Sequence, residues 1–86
     1  MPEVSRFFGI VIFLNYNDHQ PPHFLARYAG DTVVVGITSL TVLAGSMKPR
    51  ALGLVLEWAA RHKAEILEDW DRARRGQPLL RIDPLE

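Results

Sequence analysis

The spacing of apolar residues changes once along the chain, near residue 46. Before it, short runs of apolar, aromatic and β-branched residues alternate with turn-forming residues, which is typical of strands. After it, apolar residues recur at steps of three and four, the period of an amphipathic helix: Leu52, Val55, Leu56, Ala59, Ile66, Leu67, Trp70 and Ala73. The order of the two patterns predicts an α+β fold, with strands first and helix second.

The first half predicts a small antiparallel sheet of three to four strands. Gly9 is predicted as a bulge inside the first strand, and Gly30-Asp31 as a hairpin turn. The predicted strands cover residues 5–16, 23–28 and 32–37, with residues 40–43 as a short fourth strand or the edge of a loop.

The second half predicts a C-terminal helical segment that packs on one face of this sheet. It begins near Ser46, the predicted N-cap, and ends before Gly76. The pattern is compatible with one long helix or with two short helices bent near His62. Beyond it, residues 79–82 are predicted as a short strand or an apolar strap.

The size, cysteine content and charge of the chain exclude several classes of protein. The 86 residues predict a single domain over residues 1–86, and the absence of cysteine excludes disulfides and thiolate zinc sites. We therefore expect stability to depend on packing, helped by a protein partner or by a homodimer. The formal net charge of zero lacks the basic excess of a free-standing DNA binder, and nucleic-acid binding stays an open question.

The sequence shows neither a signal-peptide pattern nor an apolar run approaching the roughly 20 residues of a membrane-spanning helix. We expect a cytoplasmic protein with no membrane contact.

The loop of residues 17–23 concentrates the side chains capable of chemistry. His19 and His23 are either metal ligands or an acid–base pair, with Asp18 orienting one imidazole. The alternative is structural: Asp18 caps the turn, His19 is solvated, and His23 is hydrogen-bonded at the start of a strand. A metal site usually needs three protein ligands and only two are near, so we expect no metal and no cofactor.

His62, the third histidine, lies on the apolar stripe of the helical segment. It either packs towards the sheet as a boundary residue or completes a cluster with His19 and His23. The sequence contains no glycine-rich phosphate loop and no nucleophile elbow.

Aromatic residues crowd the first predicted strand. Alternation places Phe7 and Phe13 on one face and Phe8 on the other. Because so short a chain cannot easily bury both faces, Phe8, Ile12 and Leu14 are predicted to form an exposed strip for a partner or a second copy.

The segments MPEVSRFFGIVIFLNYNDHQPPHFLARY, RALGLVLEWAARHKAEILEDW and PLLRIDPL together resemble the small bacterial domain family DUF4160 over nearly the whole chain. Its most recognisable loop and strand match here at Asn17, Asp18, His19, Pro21, Pro22, His23, Phe24 and Ala26. Leu25 stands where the family usually shows a third histidine, and Asp69 where asparagine is common. Any chemistry that depends on a His-x-His pair is therefore expected to be weak or absent in this chain.

The resemblance implies a short cytoplasmic bacterial protein of unknown function, commonly encoded beside a DUF2442-type protein and suspected of belonging to toxin–antitoxin-like pairs. Three functional hypotheses are open, the third being a small-ligand or metal binder. The first is an interaction domain, one component of a toxin–antitoxin-like or regulatory protein pair. The alternative is a small metal-independent ribonuclease in which His19 and His23 act as acid and base.

Overall fold

Residues 2–86, which the computed structural model describes, form a five-stranded antiparallel sheet followed by two helices. The strands are β1 (Glu3–Phe7), β2 (Ile10–Phe13), β3 (His23–Tyr28), β4 (Asp31–Gly36) and β5 (Val42–Gly45), and the helices are α1 (Pro49–Arg61) and α2 (Lys63–Arg74). Each strand pairs with the next in the chain, so the sheet is a meander. The α+β prediction is confirmed, with five strands in place of three to four.

The additional strand comes from residues 5–16, which are not one strand. Phe8 and Gly9 both have positive φ, 49° and 80°, the pattern of a two-residue hairpin turn, and Phe7 pairs with Ile10 across it. Gly9 is thus a turn residue, and the bulge in β1 lies between Glu3 and Ser5. The turn was missed because its first position holds phenylalanine instead of the asparagine or glycine that usually marks such turns.

The β3–β4 hairpin turns at Ala29-Gly30, one residue earlier than predicted, with φ of 51° and 86°. Tyr28 pairs with Asp31 across it. The last strand, β5, begins two residues after the predicted start of the fourth strand, and all four of its residues are exposed.

The helical segment is two helices that meet at His62. His62 caps the end of α1, donating its backbone N–H to Trp58 O, and its carbonyl accepts the N–H of Ile66 in α2. Lys48, not Ser46, occupies the N-cap position of α1, and it makes no side-chain capping hydrogen bond. Gly76, with φ of 69°, follows the end of α2 as predicted.

The helices cover one face of the sheet, and the core lies between them. Trp58 in α1 contacts the rings of Phe7 and Phe24 from the strands. The core also includes Ile12 and Leu14, which are completely buried. They cannot form an exposed strip with Phe8, because β2 pairs Ile12 with Ala26 on the helix-covered face. Of the three predicted residues, only Phe8 is exposed.

The segment after α2 is an apolar strap rather than a strand. The backbone N–H of Ile82 donates to Val4 O at 2.8 Å, and Trp58 Nε1 donates to Asp83 O at 2.8 Å. The buried side chains of Ile82 and Leu85 join the core. The strap therefore covers the outer edge of β1. Neither of the two helices in the described part of the chain has the length and apolar character needed to cross a bilayer.

Candidate functional site

The loop between β2 and β3 is fastened to the end of α2. The backbone N–H of Asn17 donates to Ala73 O at 3.3 Å. A second contact joins the start of β3 to α2: the ring of His23 packs on the ring of Trp70, with 5.1 Å between centroids. The sequence did not indicate Trp70 as the neighbour of His23, since the two residues are far apart in the chain.

His23 is held from both ring nitrogens. Its Nδ1 lies 2.8 Å from Pro21 O, and its Nε2 lies 3.0 Å from Asp18 Oδ2. The whole residue is only 5% exposed. Both neighbours are acceptors, so a doubly protonated imidazolium satisfies both contacts, whereas either neutral tautomer leaves one nitrogen lone pair facing an oxygen.

The Asp18 carboxylate is the acceptor for one of these two ring nitrogens. Burial raises the pKa of Asp18, but hydrogen bonds from the backbone of His19 and from the ring of His23 outweigh it and leave the pKa below its ordinary value. Asp18 is therefore ionised at neutral pH. The two side chains form a largely buried hydrogen-bonded contact between the loop and the start of β3.

His19 is the accessible member of the loop. Its ring is exposed, with Nδ1 3.0 Å from Gln20 O and its centroid 5.3 Å from that of His23. The structure thus brings together Asp18, His19 and His23. It places His62 elsewhere, with Nδ1 2.6 Å from Glu65 Oε1 and its ring against Trp58.

This cluster provides one exposed imidazole, that of His19, beside the hydrogen-bonded Asp18–His23 contact. General acid–base chemistry on a substrate needs ring nitrogens that the substrate can reach, and both nitrogens of His23 are already occupied. Across residues 2–86, no group of three or more histidine, aspartate or glutamate side chains is arranged to hold a metal ion.

Leu25, where the sequence departs from the DUF4160 pattern, lies in the middle of β3. It pairs with Phe13 on β2 and with Val34 on β4, and it is half-buried. Alternation along the strand puts it on the same face as His23, two residues away. A histidine there would stand beside His23, whereas leucine extends an apolar strip with its two cross-strand neighbours.

A second candidate site surrounds Phe8. A groove of about 480 Å³ opens between the β1–β2 turn, the end of β3 and the start of α1. We call it the Phe8 groove; its lining residues are Phe8, Ile10, Tyr28, Lys48, Arg50, Ala51 and Leu54. Ile10 and Ala51 are buried at its floor, while Phe8, Lys48 and Arg50 are exposed at its rim. Sequence reasoning named only Phe8, because the other residues meet only in the folded chain.

Comparison with protein-family models identifies the family of this chain. The model of the family described as Domain of unknown function (DUF4160) matches residues 9–71, which is well over half of the chain. The chain belongs to this family, as its resemblance predicted. The match includes the loop of Asp18, His19 and His23 and all of α1. Comparisons with curated proteins and with solved structures found no match.

Proposed function

We propose that this chain is a protein-interaction domain whose partner docks on the Phe8 groove. The observation that carries the proposal is the conformation of Phe8, which is 61% exposed and has a φ of 49°. A bulky residue rarely adopts positive φ, which costs about 1 kcal/mol relative to an unstrained residue.

Phe8 is only partly packed against the rest of the described chain, residues 2–86. The ring of Phe8 makes an edge contact with the ring of Phe7, at 6.4 Å between centroids, yet 61% of the residue stays exposed. Asparagine would stabilise the turn better, and a polar side chain would suit the exposure. Strain and an exposed aromatic ring at the same residue are typical of a binding surface, where contact with a partner offsets both.

The composition of the groove agrees with this function. Aromatic and arginine side chains are enriched at binding hot spots, which are usually centred on apolar pockets and ringed by polar groups. The Phe8 groove has that arrangement, with Ile10 and Ala51 at its floor and Phe8 and Arg50 at its rim.

The partner in this proposal is a protein in the bacterial cytoplasm, and the pair is toxin–antitoxin-like or regulatory. A DUF2442-type protein is the first candidate partner, because the family resemblance implies that such a protein is encoded nearby. A second copy of this chain is the other candidate. The two differ in the mass of the complex, so one measurement of molar mass separates them.

The test is co-purification of the tagged chain from its native cells, followed by size exclusion with light scattering. We expect a stoichiometric complex that the Phe8→Asn variant fails to form. Leu80→Asn is the matched control, because Leu80 is a comparably exposed apolar residue on the strap, away from the groove. A complex that Phe8→Asn leaves intact would contradict the proposal.

The ribonuclease remains the alternative proposal. In its favour, an exposed imidazole, His19, lies beside His23, at 5.3 Å between ring centroids. The buried and doubly bonded state of His23 counts against it, since one histidine would have to serve as both acid and base. The assay is RNA cleavage by the wild-type chain and by His19→Ala, whose exposed side chain can be removed without disturbing the fold. RNA cleavage that the wild-type chain shows and His19→Ala lacks would establish ribonuclease activity.

A further inference from the structure

The rim of the Phe8 groove carries positive charge that the chain itself does not neutralise. Lys48 and Arg50 are exposed, and no acidic residue lines the groove. Within residues 2–86, neither side chain forms an ion pair. Two other arginines on the helices differ, since Arg61 pairs with Glu57 at 2.9 Å and Arg72 pairs with Glu68 at 3.1 Å.

The start of α1 adds to this positive potential. The positive end of a helix dipole is commonly balanced by acidic residues in the first turn or by a side-chain cap. In α1 the first turn has no acidic residue, and the N-cap residue, Lys48, makes no side-chain capping hydrogen bond. Two unpaired cations and an uncompensated helix end therefore lie on the same side of the groove.

The floor of the groove selects for an apolar group. Ile10 and Ala51 are buried there, and Tyr28 and Leu54 form half-buried walls. A volume of about 480 Å³ is enough for a small number of apolar side chains. A ligand that fills this floor and also reaches the rim needs an apolar group with negative charge close to it.

We infer that the Phe8 groove binds an acidic, apolar protein segment, with a leucine or aromatic side chain on the floor and carboxylates against Lys48 and Arg50. This inference rests on the proposed function and specifies the chemistry of the partner. Small-molecule sites enclose most of their ligand, whereas the exposed rim here leaves one side open. A nucleic acid would need a longer basic track than two cations on a chain of zero net charge.

The experiment is selection of a displayed random peptide library on the intact chain. The selected peptides are synthesised, and their affinities are measured at low and high salt. We expect leucine or an aromatic residue flanked by aspartate or glutamate, with affinity that falls as salt rises. The double variant Lys48→Glu, Arg50→Glu should bind these peptides about tenfold more weakly or worse.

The matched control is Arg74→Glu, Arg75→Glu, which changes the net charge equally at the far end of α2, and it should bind within about twofold of wild type. Selected peptides without acidic residues, or equal binding by the groove variant, would overturn the inference.

The two proposals fail in different ways. Peptides that Phe8→Asn no longer binds, but that are indifferent to charge reversal, would leave the docking function standing and overturn the acidic partner. Failure to select any peptide sensitive to Phe8→Asn would overturn both. A random-sequence oligonucleotide whose binding disappears in Lys48→Glu, Arg50→Glu, with no peptide selected, would assign the groove to nucleic acid instead.

Discussion

At the scale of single residues, two hairpin turns offer a controlled comparison. Phe8 and Ala29 both precede a glycine with positive φ, and they adopt nearly the same φ, 49° and 51°. Both are exposed. They differ in position, because Phe8 lines the groove and Ala29 does not. The backbone strain at the two sites is therefore alike, while only one site is proposed to contact a partner.

Phe8→Asn and Ala29→Asn should each stabilise the isolated chain. Both create the Asn-Gly pair preferred in two-residue hairpins, and relief of the strained φ is worth about 1 kcal/mol. Urea unfolding of the isolated chain measures the change. A loss of stability in Phe8→Asn would show that the phenylalanine ring supports the fold and would remove the main argument for a docking role.

Asp69 is a residue whose charge works against the fold. It is completely buried; Oδ1 accepts the N–H of Leu80 at 2.8 Å, and Oδ2 has no hydrogen-bond partner in the described chain. Burial raises the pKa of Asp69. A raised folded-state pKa means that the folded chain holds the proton more tightly than the unfolded chain. The contribution of Asp69 to stability is thus greatest below about pH 3.8 and is lost as pH rises through the folded pKa.

Asp69→Asn should therefore stabilise the chain at neutral pH, by about 1 kcal/mol, because the amide oxygen still accepts from Leu80 while the buried charge is gone. The gain should disappear in acid, where Asp69 is protonated. Chemical unfolding at several pH values follows both effects. A variant less stable than wild type at neutral pH would mean that the ionised carboxylate is needed.

At the scale of elements, the hydrogen bond between Asp18 and His23 joins the β2–β3 loop to the sheet and, through Trp70, to α2. The lowered pKa of Asp18 sets the sign of its pH dependence. Its contribution to stability is present above the ordinary value of 3.8 and is lost as pH falls through the folded pKa. Acid should therefore loosen the loop from α2.

Asp18→Asn should destabilise the chain by about 1–3 kcal/mol, because it removes the carboxylate that lies against the buried His23 ring and accepts the backbone N–H of His19. Hydrogen exchange at the Asn17 amide, which bonds to Ala73, should accelerate more than exchange in the core. A fully stable variant with unchanged exchange at Asn17 would mean that the Asp18–His23 contact does not hold the loop.

The strap is fastened to β1 by an ion pair as well as by its backbone. Glu3 Oε2 lies 3.0 Å from Arg81 Nη1, and Oε1 lies 2.7 Å from Arg6 Nη2. The hydrogen bonds from Arg6 and Arg81 lower the pKa of Glu3 from 4.5 to about 2. The stabilising effect is present above pH 4.5 and is lost as pH falls towards 2.

Glu3→Gln should loosen the strap locally with little change in global stability, since exposed ion pairs contribute weakly and are screened by salt. Hydrogen exchange at the Ile82 amide, which bonds to Val4 O, is the readout. The protection of this amide, measured against its intrinsic exchange rate at the same pH, should fall in the variant, and in the wild type as the pH falls below 4.5. Equal exchange at the Ile82 amide in wild type and Glu3→Gln would mean that the ion pair does not help to hold the strap on β1.

At the scale of the whole molecule, sequence patterns predicted the features that depend on neighbouring residues in the chain. The sequence predicted the order of strands and helices and the end of the helical segment at Gly76. It also showed that Asp18, His19 and His23 are concentrated in one loop. The Phe8-Gly9 turn and the helix boundary at His62 were not assigned, because neither carries the usual turn or breaker residues. The Phe8 groove joins a hairpin, a strand end and a helix start, so its residues become neighbours only through tertiary packing.

The central claim is that Phe8 contributes contact with a partner at the expense of the chain's own stability. The most direct test is the affinity of the co-purified partner for wild type, Phe8→Asn and Ala29→Asn, measured by titration calorimetry. We expect Ala29→Asn to bind like wild type and Phe8→Asn to bind at least about tenfold more weakly, as for loss of an aromatic hot spot. Equal affinity for all three proteins would contradict it.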